Sequence, residues 1–135
     1  MTFTQIDHVG IAVDDLEAAV ARYRGLLGAE PSHRETVADQ GVEEVLFPVG
    51  GSYVQLLGAL APDTPVGAFL AKRGPGMHHV AYRVQDLEAE LATLRASGAQ
   101  LIDETPRAGS RNTMIAFVHP RATGGVLVEL VQERG

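Results

Sequence analysis

The stretch MHHVAYRVQDLEA, residues 77–89, closely matches IDHVGIAVDDLEA, residues 6–18, earlier in the same chain. The match holds at one constant offset, which places His79 on His8 and aligns the DLEA at the end of both stretches. Self-similarity at a fixed offset is the signature of a repeated structural unit. The sequence therefore predicts two copies of one supersecondary unit, each with a histidine at the same place.

Each copy predicts a strand followed by a helix. Residues 6–13 alternate in polarity with a period of two, which is typical of a strand. Asp15 can cap the helix that follows, and Gly28 would end it. In the second copy leucines recur at helical spacing up to Gly98, which would end that helix.

Three strand-like segments follow each predicted helix, separated in part by turn-forming glycines. The segments are residues 33–38, 42–47, 52–57, 100–104, 112–119 and 125–132. Each half is therefore βαβββ, over residues 3–60 and 75–133, and residues 66–72 predict a short linking helix. We expect an α+β fold with a single domain over residues 1–135. In it, two tandem βαβββ modules form a curved mixed sheet around a central metal-binding cleft.

Length and composition predict one soluble domain. The chain has 135 residues, 45% of them hydrophobic, which is enough for a buried core. Its net charge of −6 argues against nucleic acid as a partner. It contains no cysteine, so disulfides, thiolate metal sites and cysteine nucleophiles are excluded. No signal-peptide pattern and no membrane-length apolar stretch is found, and we expect a cytoplasmic protein that does not bind membranes.

Four polar residues in the predicted strands are candidate metal ligands. His8 and His79 hold equivalent positions in the two copies, so their side chains are in register on the strand face. The last strand of each half adds a polar residue within an apolar run, Gln55 in YVQLL and Glu129 in VLVELV. A buried carboxylate is costly unless it is paired or bound to a cation. Two imidazoles, a carboxylate and an amide oxygen suit a divalent ion such as Co, Ni, Zn or Mn, so we predict a metal site where the halves meet.

The segments IDHVGIAV, QGVEEV, GPGMHHVAYRV, LIDETPR and HPRATGGVLVELVQ carry a resemblance to a known family. Along nearly its whole length the chain resembles the methylmalonyl-CoA epimerases of the vicinal oxygen chelate (glyoxalase, bleomycin resistance and dioxygenase) superfamily. The resemblance implies the metal ligands His8, Gln55, His79 and Glu129, with Co(II) as the ion and Zn, Ni, Mn or Mg as alternatives. It implies an isomerase that epimerises (2R)- and (2S)-methylmalonyl-CoA, by α-proton abstraction through a metal-stabilised enolate, and a homodimer.

Epimerisation inverts a carbon centre, so two acid/base groups are needed. Glu43 and Glu44 point to opposite faces of one predicted strand, and periodicity alone does not choose between them. The resemblance places the catalytic glutamate at Glu44. It also makes Glu129, a predicted metal ligand, the candidate for the second acid/base group.

The coenzyme A portion of the substrate needs a groove with local positive charge. A donor-rich loop and a basic helix end are the candidate segments for binding it. The candidate substrate-binding residues are Arg107, Ser110, Arg111, Asn112 and Lys72. An ordinary solvated loop explains these residues equally well, so they are the least specific part of the predicted site.

Three other functions fit parts of the pattern. A glyoxalase-like lyase or isomerase uses a similar four-ligand site, but the GMHHVA and GGVLVEL contexts favour the epimerase. An extradiol dioxygenase would use two histidines and one carboxylate on Fe(II), and Gln55 as a fourth ligand argues against it. A metal-free, drug-binding resistance protein of the same fold would present an aromatic groove, whereas only 5% of the residues here are aromatic.

Overall fold

Strands and helices alternate along the chain largely as the sequence predicts. The computed structural model describes residues 2–134, which contain three α-helices and eight strands. In chain order they are β1 (Phe3–Ala12), α1 (Leu16–Leu27), β2 (His33–Val37), β3 (Val42–Val49), β4 (Ser52–Ala59), α2 (Pro65–Arg73), β5 (Gly76–Val84), α3 (Leu87–Ala96), β6 (Arg107–Ala108), β7 (Thr113–Val118) and β8 (Val128–Glu133). The α+β class is confirmed. Within the described residues, no helix has the length and apolar character needed to cross a membrane.

The eight strands form one sheet with the order β2-β3-β4-β1-β5-β8-β7-β6. The pairs β2–β3, β3–β4, β6–β7 and β7–β8 are antiparallel. Strands β5 and β8 run parallel, which makes the sheet mixed, as predicted. Because side chains alternate along each strand, this register decides which polar residues share a face.

Two compact units divide the chain. The central unit spans Val9–His78, and the terminal unit contains the residues up to His8 together with those from His79 onward. The boundary crosses β1, whose first residues belong to the terminal unit. The linking helix predicted over residues 66–72 is present as α2. The module boundaries inferred from the repeat stay a prediction.

Each unit has an apolar core in which a helix packs on strands. In the central unit, Val20 of α1 belongs to a buried cluster with Phe47 of β3 and Leu56 of β4. In the terminal unit, Leu91 of α3 packs in a cluster that includes Leu130 of β8. The helix periodicity read from the sequence therefore marks the faces that are buried.

Equivalent aspartates cap the helices of the two copies. The Asp15 carboxylate accepts a hydrogen bond from the backbone N–H of Ala18 at 3.1 Å. The Asp86 carboxylate accepts one from Ala89 at 3.0 Å. These bonds satisfy N–H groups that the first helical turn leaves without partners. Gly28 ends α1 in the left-handed conformation, with φ 61°, as expected.

The segment 100–104 does not form the strand that the sequence predicts. Within it, Leu101 makes an isolated bridge to β7, and the short strand at this sheet edge is β6. The backbone N–H of Asp103 donates to the Phe117 carbonyl, which also accepts from the residue before Asp103. The Asp103 carboxylate in turn accepts from the Phe117 N–H at 2.8 Å. The Asp103 carboxylate therefore accepts the hydrogen bond that a backbone carbonyl would accept in a regular strand pair. The antiparallel pairing of this segment with β7 is interrupted for that reason.

Gly67→Ala is expected to destabilise the protein, with Gly25→Ala as the matched control. A Cβ atom on Gly67, in α2, would lie 2.4 Å from the carbonyl oxygen of Ala61 and 2.7 Å from that of Pro62. Because these are backbone atoms, we expect a loss of about 1–3 kcal/mol in the free energy of unfolding. A Cβ on Gly25, in α1, would meet no atom within 4 Å, and alanine should raise stability by up to about 1 kcal/mol. Urea denaturation measures both, and equal shifts would contradict the packing argument.

Candidate metal centre

Three ligand atoms from three strands meet in the terminal unit. The Nε2 atom of His8 lies 3.0 Å from Nε2 of His79 and 3.0 Å from Oε1 of Glu129. The distance from His79 Nε2 to Glu129 Oε1 is also 3.0 Å, and all three residues are buried. Atoms bound at right angles to an ion with bonds of about 2.1 Å would lie about 3.0 Å apart. Two imidazole nitrogens and a carboxylate oxygen therefore fit a divalent ion in both chemistry and spacing.

The strand register accounts for this convergence. In the parallel β5–β8 pair, Ala81 lies opposite Glu129, and His79 shares the face of Ala81 because it is two residues away. Strand β1 is the other neighbour of β5 in the sheet order, and it supplies His8. The structure thus brings together three of the four predicted ligands within one unit. Their role as ligands stays a prediction.

Contacts within the cluster favour the charged forms of Glu129 and His8. Burial alone would raise the pKa of the Glu129 carboxyl, but hydrogen bonds with His79 and His8 hold that pKa well below its usual range. Burial alone would lower the pKa of His8, but hydrogen bonds with Asp7 and Glu129 raise it to about 9. The cluster therefore favours positive charge beside the Glu129 carboxylate, and a divalent cation satisfies the same preference.

Asp7 is a residue of this site that the sequence analysis missed. It is fully buried, and its Oδ2 atom lies 2.7 Å from Nδ1 of His8. With an ion bound, a proton on Nδ1 that is donated to Asp7 would leave the Nε2 lone pair of His8 for the ion. The available signal was an aspartate inside an apolar strand, directly before a predicted ligand. The repeat concealed it, because the equivalent residue in the second copy is His78.

Gln55 and Glu44 lie on neighbouring strands of the central unit. Gln55 is opposite Leu46, which is two residues from Glu44, so the two polar side chains share a face. The Gln55 amide nitrogen donates a hydrogen bond to the Glu44 carboxylate. Its Oε1 atom is buried and accepts no hydrogen bond within the described part of the chain. A buried amide oxygen without a donor is costly, and the role of Gln55 as a ligand stays a prediction.

Burial separates the two glutamates that periodicity could not. Glu44 is 2% exposed and lies opposite Glu35 in the β2–β3 register. Glu35 in turn lies 2.8 Å from His33, and both side chains are about one-third exposed, at 36% and 33%. Glu43 forms a half-exposed ion pair with Arg34 at 2.7 Å. The buried Glu44, next to Gln55, is therefore the stronger candidate for chemistry.

The predicted substrate-binding residues lie in both units. Lys72 is in the last turn of α2, in the central unit. The others lie in the terminal unit, in β6 and in the loop between β6 and β7: Arg107, Ser110, Arg111 and Asn112. The guanidinium of Arg111 is mostly buried and contacts Asp7 at 2.7 Å. Binding of substrate by these residues stays a prediction.

The chain is similar to known proteins over nearly its whole length. Residues 7–117 match the model of the Glyoxalase/Bleomycin resistance protein/Dioxygenase superfamily. The ethylmalonyl-CoA/methylmalonyl-CoA epimerase of Cereibacter sphaeroides is 37% identical over 130 residues, which are 95% of this chain and 97% of the relative. The resemblance inferred from the sequence motifs is thereby confirmed.

Two solved structures agree with this assignment. The crystal structure of methylmalonyl-CoA epimerase from Mycobacterium tuberculosis has a TM-score of 0.95 and 43% identity, covering 99% of this chain and 91% of that one. A variant of the Streptomyces coelicolor epimerase, in complex with 2-nitronate-propionyl-CoA, has a TM-score of 0.96 and 40% identity, covering 99% and 97%. The chain therefore belongs to the glyoxalase/bleomycin resistance protein/dioxygenase superfamily and, within it, to the methylmalonyl-CoA epimerase family.

Proposed function

We propose that this chain is a metal-dependent epimerase that interconverts (2R)- and (2S)-methylmalonyl-CoA. The proposal is supported most directly by the three buried ligand atoms of His8, His79 and Glu129, in a chain that is similar to epimerases of this substrate. A homodimer, which the resemblance implies, and a cytoplasmic location accompany the proposal as predictions.

His8, His79 and Glu129 would hold the metal ion, and Gln55 keeps the role of fourth ligand that the resemblance implies. When bound, a divalent ion would act as a Lewis acid on the thioester carbonyl and offset the negative charge that develops there. Nitrogen and oxygen donors of this kind accept several first-row ions. We propose Co(II), with Zn, Ni, Mn or Mg as alternatives.

Two carboxylates would move the proton. Inversion requires that the C–H bond at the α-carbon breaks, with its proton passing to a base on one face and its electron pair spreading onto the thioester oxygen. A proton delivered to the opposite face then restores the C–H bond with inverted configuration. We assign these roles to Glu44 and Glu129. Burial and contact with Gln55 support Glu44, and the resemblance supports Glu129.

Exchange of the α-proton in D₂O tests the proposal. We expect the α-proton signal of methylmalonyl-CoA to disappear from the ¹H NMR spectrum when the protein and Co(II) are added. EDTA should stop the loss, because the chelator removes the ion, and renewed Co(II) should restore it. A coupled assay with a stereospecific mutase then establishes inversion. No exchange above background by the Co(II)-loaded protein would contradict the epimerase and direct attention to a glutathione hemithioacetal substrate.

A further inference from the structure

The buried Asp7 carboxylate is surrounded by three donor side chains. Beyond the ring nitrogen of His8, its Oδ1 atom accepts hydrogen bonds from Nε and Nη2 of Arg83, at 3.0 and 2.7 Å. Its Oδ2 atom accepts one from Nη2 of Arg111 at 2.7 Å. The two arginine side chains are only 18% and 13% exposed. Two permanent cations thus compensate the carboxylate that contacts a proposed metal ligand.

This arrangement supplies a charged hydrogen-bond donor to each oxygen of the buried Asp7 carboxylate, Arg83 to Oδ1 and Arg111 to Oδ2. An ionised carboxylate is a stronger acceptor for the Nδ1–H group of His8 than a neutral one. That bond sets both the tautomer and the orientation of the imidazole. Loss of one arginine would leave the buried charge partly uncompensated.

Arg111 reaches Asp7 from a turn with a strained backbone. Arg111 and Asn112 are both left-handed, with φ 54° and 55°, a conformation that is costly outside glycine. The turn is closed by Thr113, whose N–H and hydroxyl donate to the Ser110 carbonyl at 3.1 and 2.7 Å. Strain of this kind persists only where surrounding contacts compensate it. The ion pair with Asp7 is such a contact.

We propose that Arg111 and Arg83 are positioning residues for the metal site, which act through Asp7 on the imidazole of His8. The loop between β6 and β7 then contributes to metal affinity, whether or not it also contacts the substrate. The inference rests on the proposed function for the presence of an ion. Its test is therefore read from metal binding and from the histidine itself, not from turnover.

The test compares Co(II) affinity among variants of the full chain, by competition with a chromophoric chelator. Loss of the hydrogen-bond partner of a metal-binding histidine typically lowers metal affinity about 10- to 100-fold, and we expect a loss of this size for Asp7→Asn. For Arg111→Gln we expect a loss of about tenfold, with partial recovery in Arg111→Lys, which keeps the charge. Glu133→Gln is the matched control. Glu133 approaches the same arginines at 3.5 and 3.9 Å but is half-exposed. The Co(II) affinity of the Glu133→Gln variant should therefore stay within about twofold of the wild-type value.

Coupling between substitutions distinguishes positioning from a general structural effect. If Arg111 acts through Asp7, Arg111→Gln should add little to the loss already present in Asp7→Asn. Should Asp7→Asn fail to fold, the comparison of Arg111→Gln with Arg111→Lys carries the test. Unchanged Co(II) affinity in Arg111→Gln, with only a raised KM for substrate, would overturn the inference and leave the proposed function intact.

A metal-independent measurement separates the two proposals. In the metal-free protein, the His8 Nδ1–H proton bonded to Asp7 should give a downfield ¹H NMR signal protected from exchange. We expect Arg111→Gln to shift or broaden that signal, while Glu133→Gln leaves it in place. A wild-type protein that binds no Co(II) would contradict the metal part of the proposed function, and this signal would still test the positioning. An unchanged signal in Arg111→Gln would overturn it.

Discussion

Substitution of Glu44 by glutamine is expected to lower α-proton exchange by about 10²- to 10⁴-fold, the contribution typical of a general base. Glutamine has nearly the same shape but cannot accept the proton. Its amide oxygen can still accept the hydrogen bond that the Gln55 amide nitrogen now donates to Glu44. The side chain is buried, so the substitution removes the acid/base group without opening a cavity. The D₂O exchange experiment with Co(II) measures the loss directly.

Glu43→Gln is the matched control for this substitution. Glu43 is the adjacent residue of β3, but it lies on the opposite face and forms a surface ion pair with Arg34. Surface ion pairs contribute at most about 1 kcal/mol to stability, so folding should be retained and exchange should stay near the wild-type rate. Wild-type exchange in Glu44→Gln would remove Glu44 as the base. Loss of exchange in Glu43→Gln alone would reverse the assignment of the two glutamates.

Substitution of Glu129 by glutamine is expected to weaken Co(II) binding by more than about a hundredfold. Loss of a side chain that hydrogen-bonds to a metal ligand typically lowers metal affinity about 10- to 100-fold. Loss of a charged ligand itself should lower the affinity further. The Glu129 carboxylate is buried, and its Oε1 atom lies 3.0 Å from both histidine nitrogens. A neutral amide would offer the ion one weaker oxygen and no charge. Exchange activity at limiting Co(II) should fall with the affinity.

Excess Co(II) separates the two roles proposed for Glu129. If Glu129 only holds the ion, saturating Co(II) should restore exchange to near the wild-type rate. If it also delivers or accepts a proton, exchange should stay low when the site is full. Glu133→Gln, four residues along the same strand and half-exposed, should bind Co(II) like the wild type. Unaltered Co(II) affinity in Glu129→Gln would show that the ion is not held by this cluster.

Local signals in the sequence were sufficient for most of the secondary structure. Polarity with a period of two marks β1, and aspartates before both repeat helices cap them through their own side chains. These signals depend on neighbours within a few residues, so they can be read without knowledge of the fold. The prediction of a strand over residues 100–104 was wrong because the structure of this segment is set by a part of the chain that is distant in the sequence. Its pairing depends on the Asp103 carboxylate and on β7, which is distant in the sequence.

The repeat went further than local patterns, because it related residues far apart in the chain. Equivalence of His8 and His79 placed two candidate ligands in register, and the apolar context of Glu129 marked a buried carboxylate. The structure places all three ligand atoms within 3.0 Å of one another. The repeat and the strand periodicity support each other as evidence, because a strand shifted by one residue would turn each of its side chains to the other face of the sheet.

By itself the sequence determined the α+β class and the capped helices, which follow from short-range patterns, and the repeat and the family, which follow from motifs matched along the chain. Only the tertiary structure decided the surroundings of each polar group. It buried Glu44 and left Glu43 in a surface ion pair. It also brought Asp7, Arg83 and Arg111 into one cluster from three separated segments. The cost of burying a charge is set by partners that strand order brings together, and no local pattern in the chain records those partners.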